Sequence, residues 1–103
     1  MADNGIPRLS GRELIIMKLL TSTRGEMFGL ELVKASDGEL KRGTVYVTLG
    51  RLEEKGYIAS RREAPKEGES IPRRLYKPTG LGAKVFQAIN GAGGRAWLKE
   101  VLT

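Results

Sequence analysis

The chain contains no cysteine and no histidine. Without thiols there is neither a disulfide framework nor a thiolate metal site. Without imidazole the commonest general base and the commonest metal ligand are missing. Catalysis would have to rest on carboxylates, lysines or tyrosines, and no nucleophile–base pair stands out among them. The expectation is a protein that is not an enzyme and holds no metal or cofactor. Long apolar runs are absent too: none approaches the ~18 residues a membrane helix needs. The opening MADNGIPRLS lacks the charged start and apolar stretch of a signal peptide. A cytoplasmic protein with no membrane partner is expected.

What the chain does have is basic charge, placed unevenly. It is 103 residues long with a formal net charge of +6. Residues 1–40 hold 5 Lys/Arg against 6 Asp/Glu, residues 41–77 hold 10 against 5, and residues 78–103 hold 3 against 1. The excess therefore lies in the middle third. A localised basic excess is the electrostatic footprint of a nucleic-acid binder, although a solvated basic surface has the same composition. A chain this short buries roughly 60–70% of the surface its unfolded form exposes. That is enough for one small core, which a partner subunit would reinforce.

The helix signals come first along the chain. Ser10 followed by Glu13 is a capping box, and the run after it is apolar nearly all round. MFGLELVKASDGE predicts a short helix from about Phe28 to Ser36, with Phe28, Leu32 and Ala35 at helical spacing and Asp37-Gly38 closing it. Gly29 near its start either lets another element approach closely or marks a fray. RGTVYVTLGRLEEKGYI, residues 42–58, begins with β-branched residues but alternates poorly as a strand. As a helix over about 43–55 it places Val45, Leu49 and Leu52 on one face, and Gly56 stands where a C′ glycine closes it. Two extended segments, YIASRREA and RRLYKP, flank the polar loop PKEGESIP and predict a hairpin over about 58–77. Thr79 caps a final helix carrying Leu81, Val85, Phe86 and Ile89, and RAWLKEVL reads as a further short helix. GAGGRA formally fits a dinucleotide fingerprint, but it follows a helical segment instead of a strand, and no chain remains for the acidic ribose partner.

Helix, helix, helix, hairpin, helix is the order of a winged helix-turn-helix, an α+β, mostly helical fold whose third helix enters the major groove. On that reading residues 1–79 form a DNA-binding domain with an N-terminal arm, and residues 80–103 form a C-terminal helical segment. Thr44, Thr48 and Arg51 lie opposite the apolar stripe, able to reach phosphates or base edges. Lys41 and Arg42 stand at the helix N-terminus, where the dipole also favours phosphate. Tyr46 either donates to a phosphate or buries its ring with the hydroxyl in solvent. Arg61, Arg62, Lys66, Arg73 and Arg74 lie along the wing, placed for phosphates or a minor groove. The plainer reading of Arg73-Arg74 is a solvated strand edge. The expected partner is double-stranded DNA. The alternative is a winged-helix module that binds protein partners without touching DNA, because fold does not settle function.

Three stretches carry a family resemblance: FGLELVKAS, GTVYVTLGRLEEKGYI and RRLYKPTGLGAKVF. They resemble the PadR family of transcriptional regulators. Gly43, Thr44, Tyr46, Leu49, Leu52, Glu53 and Gly56 match one of its patterns, and Tyr76, Thr79 and Gly82 match the second. The resemblance covers roughly residues 10–87. It implies a homodimeric, repressor-like protein on a palindromic operator, with C-terminal helices building the dimer. Some members of the family bind small apolar effectors near the dimer centre, where Trp97 would serve as an effector contact, a dimer contact or a core residue. The C-terminal segment departs from the family in being shorter and interrupted by GAGG.

Overall fold

The computed structural model describes residues 8–23, 25–65, 67–68 and 73–90. The first helix, α1 (Gly11–Ser22), starts where the sequence signals it. The Ser10 hydroxyl accepts from the Glu13 N–H at 3.2 Å, and the Ser10 N–H donates to Glu13 Oε1 at 2.7 Å. Both halves of the capping box are thus formed. Ile16, Met17 and Leu20 of α1 are fully buried, whereas Leu14 and Ile15 are half-buried.

A two-residue strand, β1 (Met27–Phe28), precedes α2 (Gly29–Ala35). The sequence reading put Phe28 and Ala35 on the helix's apolar face. Phe28 instead extends as strand, and Ala35 is exposed. Leu32 alone anchors the middle of α2 in the core. The Phe28 N–H donates to Glu31 Oε1 at 2.7 Å, so a carboxylate takes one of the first turn's donors.

The link to α3 (Arg42–Glu54) is a tight turn through Asp37 (φ 55°) and Gly38 (φ 93°). Buried Ser36 holds it: its hydroxyl donates to Val33 O at 2.7 Å and accepts from the Leu40 N–H at 2.9 Å. Leu40, Val45, Leu49 and Leu52 then join α1 and Leu32 in one core. The end of α3 is a Schellman motif. The Tyr57 N–H donates to Leu52 O at 3.0 Å and the Gly56 N–H to Glu53 O at 2.9 Å, with Gly56 at φ +81°.

Strands β2 (Ile58–Glu63) and β3 (Arg73–Pro78) form the antiparallel hairpin, with Ser60 opposite Tyr76 and Arg62 opposite Arg74. β1 pairs with the other edge of β3, Met27 opposite Tyr76, giving the order β1-β3-β2. The expected two-stranded wing therefore gains a third, very short strand. Two residues show no period, which is why the pattern alone could not reveal it.

Thr79 joins the wing to α4 (Gly80–Asn90) and to the end of α3. Its hydroxyl donates to Gly56 O at 2.7 Å and accepts from the Gly82 N–H at 3.0 Å, while its own N–H donates to Tyr57 O at 3.0 Å. A Cβ on Gly82 would overlap the Tyr57 carbonyl, so glycine is required for that contact. The second half of the T-x-x-G pattern is thus a steric requirement.

Candidate nucleic-acid interface

The helix period divides α3 into two faces. Val45, Thr48, Leu49 and Leu52 are buried, at i, i+3, i+4 and i+7. Arg42, Gly43, Tyr46, Val47, Gly50, Arg51 and Glu54 are exposed. This corrects the expectation for both threonines. Thr48 is buried, and its hydroxyl turns back to donate to Thr44 O at 3.3 Å. Thr44 is half-buried, and its Oγ1 is enclosed, with no hydrogen-bond partner among the described residues. The reason is spacing: a residue three after Val45 and four before Leu52 lies inside the apolar stripe, and the methyl of threonine suits it to that place. Gly43, Val47 and Gly50 also lie on the open face; the sequence assigns them no contact because none has a hydrogen-bonding side chain.

Tyr46 is half-exposed and lies across Gly29 of α2: a Cβ on Gly29 would stand 2.6 Å from Tyr46 Cε1. Gly29 is therefore a point of close approach between α2 and α3. Tyr46 also lines a cleft of about 560 Å³ together with Phe28, Gly29, Lys34, Arg73, Arg74 and Tyr76. Helix and wing share this cleft. Burial pushes the Tyr76 hydroxyl above its ordinary pKa against the opposing pull of Arg74, so it remains a neutral donor.

The wing cations divide into distinct settings. Arg61 is half of a two-point ion pair with Glu26: Nε lies 2.9 Å from Oε2 and Nη2 lies 2.8 Å from Oε1. The Arg61 hydrogen bonds hold the Glu26 carboxyl below its ordinary value. Arg61 thus braces the chain leading into β1, and Glu26 competes with any phosphate for its guanidinium. Arg73 lies over the Phe28 ring at 4.2 Å from the centroid, a cation–π contact. Arg74 donates to Ser60 Oγ at 3.0 Å, and Ser60 donates in turn to Glu53 Oε2 of α3 at 2.6 Å. This relay links the wing to the helix. Arg62 is exposed and directly opposite Arg74. Like charges facing across a sheet destabilise it. Lys66 and Trp97 lie outside the described residues, as do the N-terminal arm and the chain from 91 onward.

The N-terminal end of α3 shows the same imbalance. Its first turn has no acidic residue, and exposed Lys41 and Arg42 stand at the positive end of the helix dipole. Lys41, Arg42, Arg51 and Arg62 make no ion pair among the described residues. The other end of α3 is held from within: Lys55 Nζ lies 2.8 Å from Glu13 Oε2. Burial raises the Glu13 carboxyl, but Lys55 and the Ser10 N–H and hydroxyl outweigh it, and the carboxyl titrates below its ordinary value. One carboxylate thereby caps α1 and clamps α3. No group of acidic side chains among the described residues is arranged to hold a metal, and none of their helices is long and apolar enough to cross a membrane.

Three helices, a braced cationic hairpin and an open third-helix face define the winged helix-turn-helix class. Comparison with known proteins makes the assignment specific. The model of the "Transcriptional regulator PadR-like family" matches residues 16–88, and the chain belongs to that family. A PadR family transcription regulator from Clostridium difficile R20291 has a similar structure, at 29% identity and a TM-score of 0.68, over 90% of this chain and 95% of that one. A PadR family transcriptional regulator from Eggerthella lenta shares 28% identity at a TM-score of 0.66, over 87% of this chain and 80% of that one. Bacillus subtilis PadR in complex with operator DNA matches at 20% identity and a TM-score of 0.65, over 89% of this chain but 48% of its own length, a likeness of fold alone. Among curated proteins none matches.

Proposed function

We propose that this PadR-like regulator binds double-stranded DNA sequence-specifically as a homodimer on a palindromic operator and represses transcription in the cytoplasm. In this reading α3 occupies the major groove, while Arg62, Lys66, Arg73 and Arg74 meet the backbone or minor groove. The observation that carries it is a set of exposed cations around one open helix face, of which Lys41, Arg42, Arg51 and Arg62 make no ion pair among the described residues. Lys41 and Arg42 crowd a helix N-terminus, and Arg62 faces Arg74 across the sheet. Both arrangements cost stability in the isolated chain and become favourable against phosphates.

Dimerisation is assigned to α4 and the chain after it, residues 80–103. Leu81 is 54% exposed, and Phe86 and Ile89 are half-buried, which leaves apolar surface on α4 for a second copy. A small apolar effector bound near that interface, with Trp97 against it, completes the reading by family analogy.

The test is an anisotropy titration of the full chain against duplex DNA from upstream of its own gene, at two salt concentrations. Salt-sensitive binding to this DNA, tighter than to a scrambled duplex, is expected. Absence of duplex binding at low salt, together with a tight complex with an acidic protein, would establish the protein-interaction module in its place.

A further inference from the structure

The open face of α3 is apolar at its centre, and the cations around it do not account for that. Val47 is 57% exposed and stands outside the core cluster. A β-branched residue is a mediocre choice within a helix, and here it leaves hydrocarbon in water. On the same face, four residues before and three after it, stand Gly43 and Gly50, and a Cβ on either would meet nothing within 4 Å. No side chain at those positions covers the isopropyl group. Neither packing nor helix propensity explains a valine at this position.

The hydrogen-bonding readers that the face was expected to carry are turned away, since Thr48 is buried and the Thr44 hydroxyl is enclosed. Arg51 and Tyr46 remain as donors, one on either side of Val47 along the helix. In a major groove the one apolar group that an unmodified base pair presents is the 5-methyl of thymine. Resting on the reading that α3 enters that groove, we propose that Val47 is a specificity-determining residue that selects thymine by contact with its 5-methyl group. The bare glycine positions let the helix come close enough for this contact, and Arg51 reads or anchors the adjoining step.

The experiment uses the full chain throughout. Duplexes are selected from a randomised library, and each thymine of the preferred site is replaced in turn by deoxyuridine, which removes only the methyl group. Affinities are measured for the parent and for Val47→Ala, an exposed change whose folding is checked by circular dichroism. One thymine position per half-site is expected to lose about three- to five-fold in affinity on replacement with the parent, the worth of one buried methyl group. The same replacement should leave Val47→Ala binding unchanged. If every replacement affects both proteins equally, or none has an effect, Val47 does not read thymine, although DNA binding stands. If the parent binds no duplex in a salt-sensitive way, the DNA reading itself falls, and the Val47 assignment falls with it.

Discussion

Single glycines in this chain serve opposite ends, and substitution separates them. Gly50 sits mid-helix on the open face of α3 with nothing near its missing Cβ. Gly50→Ala should stabilise the free protein by about 0.5–1 kcal/mol, because alanine loses less backbone entropy on folding and enters a helix more readily. Gly82 faces the Tyr57 carbonyl with no room for a Cβ. Gly82→Ala should therefore destabilise, by about 2 kcal/mol or more, since the obstacle is backbone and must move as a unit. Thermal melts of the two variants give shifts of opposite sign if this reading is right. The difference was only partly legible beforehand. Gly82 stands in a recognisable T-x-x-G pattern, whereas Gly29 reads from sequence either as a point of close approach or as a fray. Which element pressed on each depended on contacts distant in sequence.

At the scale of elements, the orientation of α3 depends on two braces. Glu13 of α1 holds its C-terminal end through Lys55, and its carboxyl titrates below the ordinary 4.5. A depressed carboxylate pKa contributes stability that is present above the unfolded value and lost as pH falls through the folded one. The parent should thus lose stability as pH drops below about 4.5, and Glu13→Gln should show a shallower acid loss from a lower starting point. Glu13 is buried while Lys55 is half-exposed, so replacing Glu13 should cost about 1–2 kcal/mol at neutral pH, read from urea midpoints. On the wing, Arg61 is committed to Glu26 whereas Arg62 is exposed without an ion pair among the described residues. Arg61→Ala should leave duplex affinity within about two-fold, and Arg62→Ala should lower it about three- to ten-fold on all sequences alike. Equal losses from the two would show that the Glu26 pair opens on binding. Adjacent arginines look equivalent in sequence. The strand pleat points them to opposite faces, and Glu26, 35 residues before Arg61, captures one of them.

Over the whole molecule, charge and shape divide the work. Residues 41–77, which include α3 and the wing, hold 10 Lys/Arg against 5 Asp/Glu, with Lys41 and Arg42 at the N-terminal end of α3, while Gly43, Val47 and Gly50 leave the middle of its open face uncharged. Attraction would then come from the periphery and discrimination from the centre. With Lys41, Arg42, Arg62, Lys66, Arg73 and Arg74 each neutralising one phosphate, affinity per protomer should fall about a thousand-fold between 50 and 200 mM salt. A log–log salt slope well below that would mean that some of these cations do not reach the backbone.

The four helices, the hairpin between the third and the fourth, and the family are legible along the chain. Those features rest on local rules: Ser10 with Glu13, a left-handed Gly56, a 3.6-residue stripe through Val45, Leu49 and Leu52, and motifs that are contiguous in the chain. Tertiary structure decided which side chains the site can use. Whether Thr48 faces water or core, whether Arg61 is open or paired, and whether two residues at 27–28 add a strand depends on neighbours brought from elsewhere in the chain. Burial and ion pairing are properties of surroundings, and the surroundings of a side chain exist only once the helices and the sheet have packed together.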